Sequence, residues 1–199
     1  VQEEVVGPTL GAQSIQQGFI SFIVAFIILM IYMVVMYDFI PGMVANGALL
    51  LNLFFTMGIM ASFQAALTMP GIAGIVLALG MAVDANVLIY ERTKEELKKG
   101  LGTKQALSLG YSNAFSAIFD SNLTSILTGI ILYVFGTGPI RGFATTLIIG
   151  ICCSFFTAVF LTRLVYENRL AHDKWTKQTF STKVSRNFMA NKNYGFMSN

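Results

Sequence analysis

Five apolar stretches of this chain are long enough, with their flanks, to cross ~30 Å of hydrocarbon, which takes about 20 residues at 1.5 Å each. They run from Gln16 to Tyr37, Met43 to Phe63, Gly71 to Tyr90, around Asn122 to Phe135, and from Phe143 to Leu161. Four carry no charge, and the third carries a single acid, Asp84. With 55% hydrophobic residues, 12% charged and a mean hydropathy of +0.67, the solvent of such a chain is a bilayer. The expected fold class is an all-α polytopic membrane protein with five transmembrane helices. Pro41, Pro70 and Pro139 fall between the stretches, with Gly42, Gly71 and Gly138 close by, which are the residues that turns between helices need.

The expected layout is a polar segment over 1–13 and a helical bundle over 14–166, with spans at about 15–37, 43–64, 70–91, 119–136 and 140–166. Between the third and fourth spans, Ala106, Leu109, Tyr111 and Phe115 recur among polar residues behind Thr103, a capping type. This pattern predicts a short cytoplasmic interfacial helix over about 103–117. Residues 167–199, polar and aperiodic, are expected to form a tail or linker. The opening "VQEEVVGPTLGAQS" has no basic n-region or cleavage site, so the chain is expected to begin within a longer polypeptide.

Of the 13 Lys and Arg residues, all but Arg141 lie between Arg92 and Lys104 or from Arg163 onward. An extracytoplasmic amino end places both groups inside, as the positive-inside bias requires. The basic residues flank spans and are interleaved with Glu91, Glu95 and Glu96, which argues against nucleic acid as a partner. Adjacent Cys152 and Cys153 in an apolar span, and a lone His172, give no disulfide framework and no metal-ligand spacing. No Gly-rich loop of the Lys-Ser/Thr type is present to cradle a nucleotide phosphate.

Asp84 is the residue that demands an explanation. It lies seven residues before Glu91, roughly 10 Å inside the charged collar on a continuous helix. A carboxylate at such depth costs about 2.5 to 3.5 kcal/mol on insertion scales, so it should face the bundle or a hydrated path and titrate with protons. Gly74, Ala78, Ala82 and Asn86 form a small-residue ridge on another face, against which a helix can pack closely, while Leu77 and Gly80 share the face of Asp84. Asn86 is expected to make an interhelical hydrogen bond. In the fourth span Asp120, Thr124 and Thr128 lie one turn apart, with Ser121, Ser125 and Asn122 beside them. Taken singly, each hydroxyl is expected to bond a carbonyl of its own helix; taken together with Asp120 and Asn122, the stripe reads as a hydrated groove.

Two long strings carry a resemblance. "LTMPGIAGIVLALGMAVDANVLIYERTKEELKKG" and "AFSAIFDSNLTSILTGIILYVFGTGPIRGFATTLIIGICCSFFTAVFLTRL", with "GMAVDANVLIYER" and "FGTGPIRGFA" the most specific parts, resemble the membrane portion of the SecD family. That family is the SecD half of the SecD/SecF protein-export accessory, in the resistance-nodulation-division superfamily, and the resemblance runs roughly from Gly7 to Leu164. It implies helices two to six of a six-helix half, a large external domain, and a SecF half, fused or separate, related by pseudo-twofold symmetry.

It further implies that the acid of the "VDAN" motif, Asp84, lies on a proton pathway whose second acid and arginine come from SecF. The implied function is proton-driven promotion of protein export at the bacterial cytoplasmic membrane, without covalent catalysis and with protons as the only coupling agent. The implied partners are SecF, a SecYEG-type translocon, a YidC-type insertase, the translocating polypeptide and lipids. Rival readings are a proton-driven exporter of small molecules or lipids in the same superfamily, an assembly subunit with a structural Asp84, and an intramembrane aspartyl protease pairing Asp38 with Asp84. The last fails if the two carboxyls lie at different depths, because a dyad shares one proton at near 3 Å.

Overall fold

The computed structural model describes residues 8–63, 68–171 and Phe180. Helices α1 (Pro8–Tyr37), α2 (Phe39–Ser62), α3 (Met69–Lys98), α4 (Thr103–Phe135) and α5 (Pro139–Phe155) follow one another. A π-helical stretch, Phe156–Leu161, then leads from α5 into α6 (Thr162–Ala171). Five segments are long and apolar enough to span a bilayer: Gln13–Tyr37, Phe39–Ser62, Met69–Lys98, Thr103–Phe135 and Pro139–Leu170. The segment expected over 1–13 lies largely outside the described residues, as do the tail beyond Ala171, apart from Phe180, and His172.

The prolines do not sit in the connections. Pro8, Pro41, Pro70 and Pro139 each stand in the first turn of the helix that follows, where a missing N–H costs nothing. Only Asp38, at φ 75, separates α1 from α2, and its carboxylate accepts the Phe39 N–H at 2.8 Å. This tight reversal requires glycine at position 42, whose Cβ would lie 2.7 Å from the Val34 Cα. Thr68 caps α3 by accepting the Gly71 N–H at 3.2 Å. At the far turn, Arg141 donates from Nε to the Gly136 carbonyl at 2.9 Å and lies over the Tyr133 ring.

One expectation is corrected here. The interfacial helix over 103–117 and the fourth span are a single uninterrupted helix of 33 residues, and the cap is Gly102, with Thr103 already helical. No proline interrupts this stretch. Its internal Gly110 costs only ~1 kcal/mol, and that glycine lets α4 approach the backbone of Thr93 on α3. Breaking the helix would expose several peptide groups where lipid cannot satisfy them.

Helix α3 is the centre of the bundle, packed chiefly on α5 and α4 and more lightly on α1 and α2. The ridge read from the sequence faces α5. A Cβ on Gly74 would lie 2.8 Å from the Phe143 carbonyl, and Gly150 of α5 rests on Ala78. Lipid tails are as apolar as leucine, so helices here associate through such close packing rather than through water exclusion. Leu49, Leu79, Ile89 and Ile151 fill the interior, while α1 turns Ile20, Val24, Ile28 and Ile31 outward, as a lipid-facing helix does.

Basic residues and tyrosines gather at one end, hereafter the charged end. Tyr90, fully buried, donates its hydroxyl to the Pro41 carbonyl at 3.0 Å and accepts from Tyr166 at 3.3 Å. The rings of Tyr37 and Phe180 lie 5.4 and 5.5 Å from the Tyr90 ring. Lys94 pairs with Glu91 at 2.8 Å and sits 4.4 Å over the Tyr37 ring. Tyr111 bonds the Thr162 hydroxyl at 2.6 Å, and Thr162 donates onward to the Ala158 carbonyl within the π-helical stretch. Nothing in "FTAVFLT" announced that stretch; it contains no glycine or proline.

Candidate functional site

The cap at Thr68 and the ridge on α5 fix the rotation of α3, and that rotation turns Asp84 out of the core. Leu77 and Gly80, expected on the same face, are also open: Leu77 is 48% exposed and nothing lies within 4 Å of a Cβ on Gly80. Asp84 lines a cavity of about 210 Å³ between α3 and α4, with Met81, Ala85 and Leu88 from its own helix and Ile118, Ser121 and Asn122 from the other. A space of this volume has room for several waters. Among the described residues, no cation or hydrogen-bond donor reaches its carboxylate.

The α4 residues divide into two groups. Ser121 and Asn122 line the cavity, but each also bonds the Ile118 carbonyl, at 3.1 and 2.8 Å. Thr124, Ser125 and Thr128 donate to the carbonyls of Asp120, Ser121 and Thr124 at 2.9, 2.9 and 3.0 Å, so each hydroxyl is satisfied within its own helix. Asp120 is exposed on α4 and does not line the cavity of Asp84. Asp84, Asp120, Thr124 and Thr128 thus present polar groups on the outer surface of a segment of membrane-spanning length.

The expectation for Asn86 is corrected. Its amide donates to Ala82 of its own helix at 3.2 Å, and its buried carbonyl oxygen has no partner among the described residues. An i−4 carbonyl is always within reach of an amide on a helix, and the Asn86 side chain takes it. The sequence reading missed a second polar set on α2: Asn46, Asn52 and Thr56, all buried. Asn46 donates across to the Met30 carbonyl of α1 at 3.1 Å, and Thr56 donates to Asn52 at 3.2 Å. The i, i+4 spacing of Asn52 and Thr56 in an apolar span was the available signal.

Asp38 and Asp84 do not form a dyad. Asp38 follows Tyr37, which packs on Tyr90, and Asp84 lies six residues before Tyr90, about 9 Å deeper along α3. Among the described residues, no group of three His, Cys, Asp or Glu side chains could hold a metal ion.

A family model for the protein export membrane protein SecD/SecF, C-terminal, matches residues 1–169. The chain belongs to the SecD/SecF family. It is 51% identical over 167 residues to the protein translocase subunit SecD of Rhodothermus marinus, covering 84% of this chain and 27% of that protein. It is 52% identical over 165 residues to the SecD of Magnetococcus marinus, covering 83% and 31%. The crystal structure of SecDF, a translocon-associated membrane protein from Thermus thermophilus, superposes with a TM-score of 0.80 at 38% identity, covering 83% of this chain and 23% of that one. The chain therefore spans about a third or less of the length of these SecD relatives.

Proposed function

We propose that this chain is the membrane part of a SecD-type translocase subunit in which Asp84 loads and releases protons to drive protein export. The observation that carries the reading is a carboxylate at membrane depth that, among the described residues, has no partner and no helix over its face, and that opens into a cavity between α3 and α4. Lipid solvates such a face poorly, and a SecF half, fused or separate, is the partner that would cover it and enclose a hydrated path. Asp120, exposed on α4 but outside that cavity, would serve as a second station on the path. One charge crossing 100 mV releases about 2.3 kcal/mol, enough to bias rocking of two halves when a titratable group gates it.

The charged end then faces the bacterial cytoplasm, the spans are helices two to six of a six-helix half, and protons are the only coupling agent. A SecYEG-type translocon, with a YidC-type insertase, would receive the effect on the moving polypeptide. In the full-length protein in energised vesicles, Asp84→Asn should insert normally yet abolish proton-dependent stimulation of export. Undiminished stimulation in that variant overturns the reading. The rival, a small-molecule or lipid exporter of the same superfamily, predicts instead a proton-dependent efflux that Asp84→Asn removes while export is untouched.

A further inference from the structure

A second cavity, about 260 Å³, opens at the charged end between the first turns of α4 and α6, lined by Lys104, Leu107, Ser108, Tyr111, Arg163 and Glu167 among others. Arg163 donates from Nε to Glu167 at 2.7 Å, which leaves its terminal nitrogens as donors. Lys104 pairs with no carboxylate among the described residues. Two cations and one carboxylate give this small space a net charge of +1. Arg163 stands just beyond the apolar run that ends at Leu161, at the depth of lipid headgroups, and Lys104 lines the same cavity from the first turn of α4, its long side chain able to reach that level.

Below the cavity the surface changes character. Phe115 and Phe119 continue the α4 row that begins at Leu107 and Tyr111, and they are 44% and 46% exposed. The Phe155 ring lies 6.0 Å from Phe115, 6.1 Å from Phe119 and 6.3 Å from Phe160, which is itself exposed. An aromatic track thus runs from the cavity toward the membrane interior for about 12 Å, the rise of eight helical residues.

From this juxtaposition we infer that the α4–α6 cavity is a binding site for one anionic glycerophospholipid. Its phosphodiester lies between Lys104 and Arg163, and one acyl chain lies along Phe115, Phe119 and Phe160. The single negative charge of a phosphatidylglycerol headgroup balances the lining, and its glycerol hydroxyls can bond Ser108 and Glu167. A zwitterionic headgroup would leave the +1 uncompensated. Free phosphate would use the cations but not the track.

The test uses the full-length protein, delipidated in a neutral maltoside detergent and followed by native mass spectrometry during titration with dioleoylphosphatidylglycerol. One saturable equivalent per chain is expected, weakened about tenfold or more by Lys104→Gln combined with Arg163→Gln. Lys104→Gln alone should weaken it by a smaller factor, which keeps the test decisive if the double variant fails to fold. Lys98→Gln, which removes an exposed charge at the same end outside the cavity, should change nothing. Phe160→Ala should weaken the lipid without altering its charge preference. The inference is overturned if dioleoylphosphatidylcholine binds equally well, if equimolar inorganic phosphate displaces the lipid, or if the variants retain full affinity.

Discussion

Tyr90 of α3 holds the carbonyl of Pro41, in the first turn of α2, across 3.0 Å in a fully buried setting. The bond fixes the depth of α3 against the α1–α2 hairpin, and Asp84 lies on that helix six residues away.

Tyr90→Phe keeps the ring packing but removes two buried hydrogen bonds, the one to the Pro41 carbonyl and the one from Tyr166. The expected cost is about 0.5–1.5 kcal/mol for each of the two bonds lost. Thermal unfolding in detergent should show a melting point several degrees lower; an unchanged one would mean that water replaces the bond.

Gly74 and Gly80 lie on one helix but should respond oppositely to a methyl group. Gly74→Ala pushes a Cβ to 2.8 Å from the Phe143 carbonyl and against Thr146, whereas Gly80→Ala meets nothing within 4 Å. The first should lower the yield of monodisperse protein and the melting point by the cost of overpacking, about 1–3 kcal/mol. The second should leave both within error or raise them slightly, because alanine favours helix by ~1 kcal/mol over glycine.

Hydration of the Asp84 cavity can be read by chemistry. In the full-length protein with its own cysteines replaced, Ser121→Cys lines the cavity and should react with a charged thiol reagent, while Leu127→Cys, six residues further along α4 and 54% exposed, should face lipid and resist it. Equal labelling of both positions contradicts a discrete wet pocket.

The acid itself separates function from scaffolding. A structural Asp84 would hold the fold through hydrogen bonds, so Asp84→Asn should lower the melting point. An unpaired carboxylate at membrane depth carries a solvation cost of ~2.5–3.5 kcal/mol when ionised. On the proposed reading, Asp84→Asn at neutral pH therefore leaves the melting point unchanged or higher while transport fails.

Much of this arrangement was legible in the residues, and the parts that were not share a cause. The spans, the close-packing ridge of Gly74, Ala78 and Ala82, and the self-satisfied hydroxyls of Thr124, Ser125 and Thr128 follow from length, size and i−4 geometry, which are local. The outward turn of Asp84 was not legible, because periodicity gives the angle between two faces of a helix but not which face a neighbour covers. The continuity of α4 was hidden because polar residues in its first half imitate a surface helix. Asn46 escaped notice because an isolated amide in an apolar run has no periodic signature, Asn52 because its single i, i+4 partner, Thr56, is too short a repeat to stand out, and the π-helical stretch because its residues carry no local mark of it.

The unbroken α4 has a mechanical consequence. At 1.5 Å per residue its 33 residues form a rod about 50 Å long, some 20 Å more than the hydrocarbon it crosses. Pivoted near its middle, such a rod turns a tilt of about 10° into a sideways sweep of about 4 Å at each tip, so a small rearrangement around one carboxyl is geared up to a stroke of side-chain size at both surfaces at once.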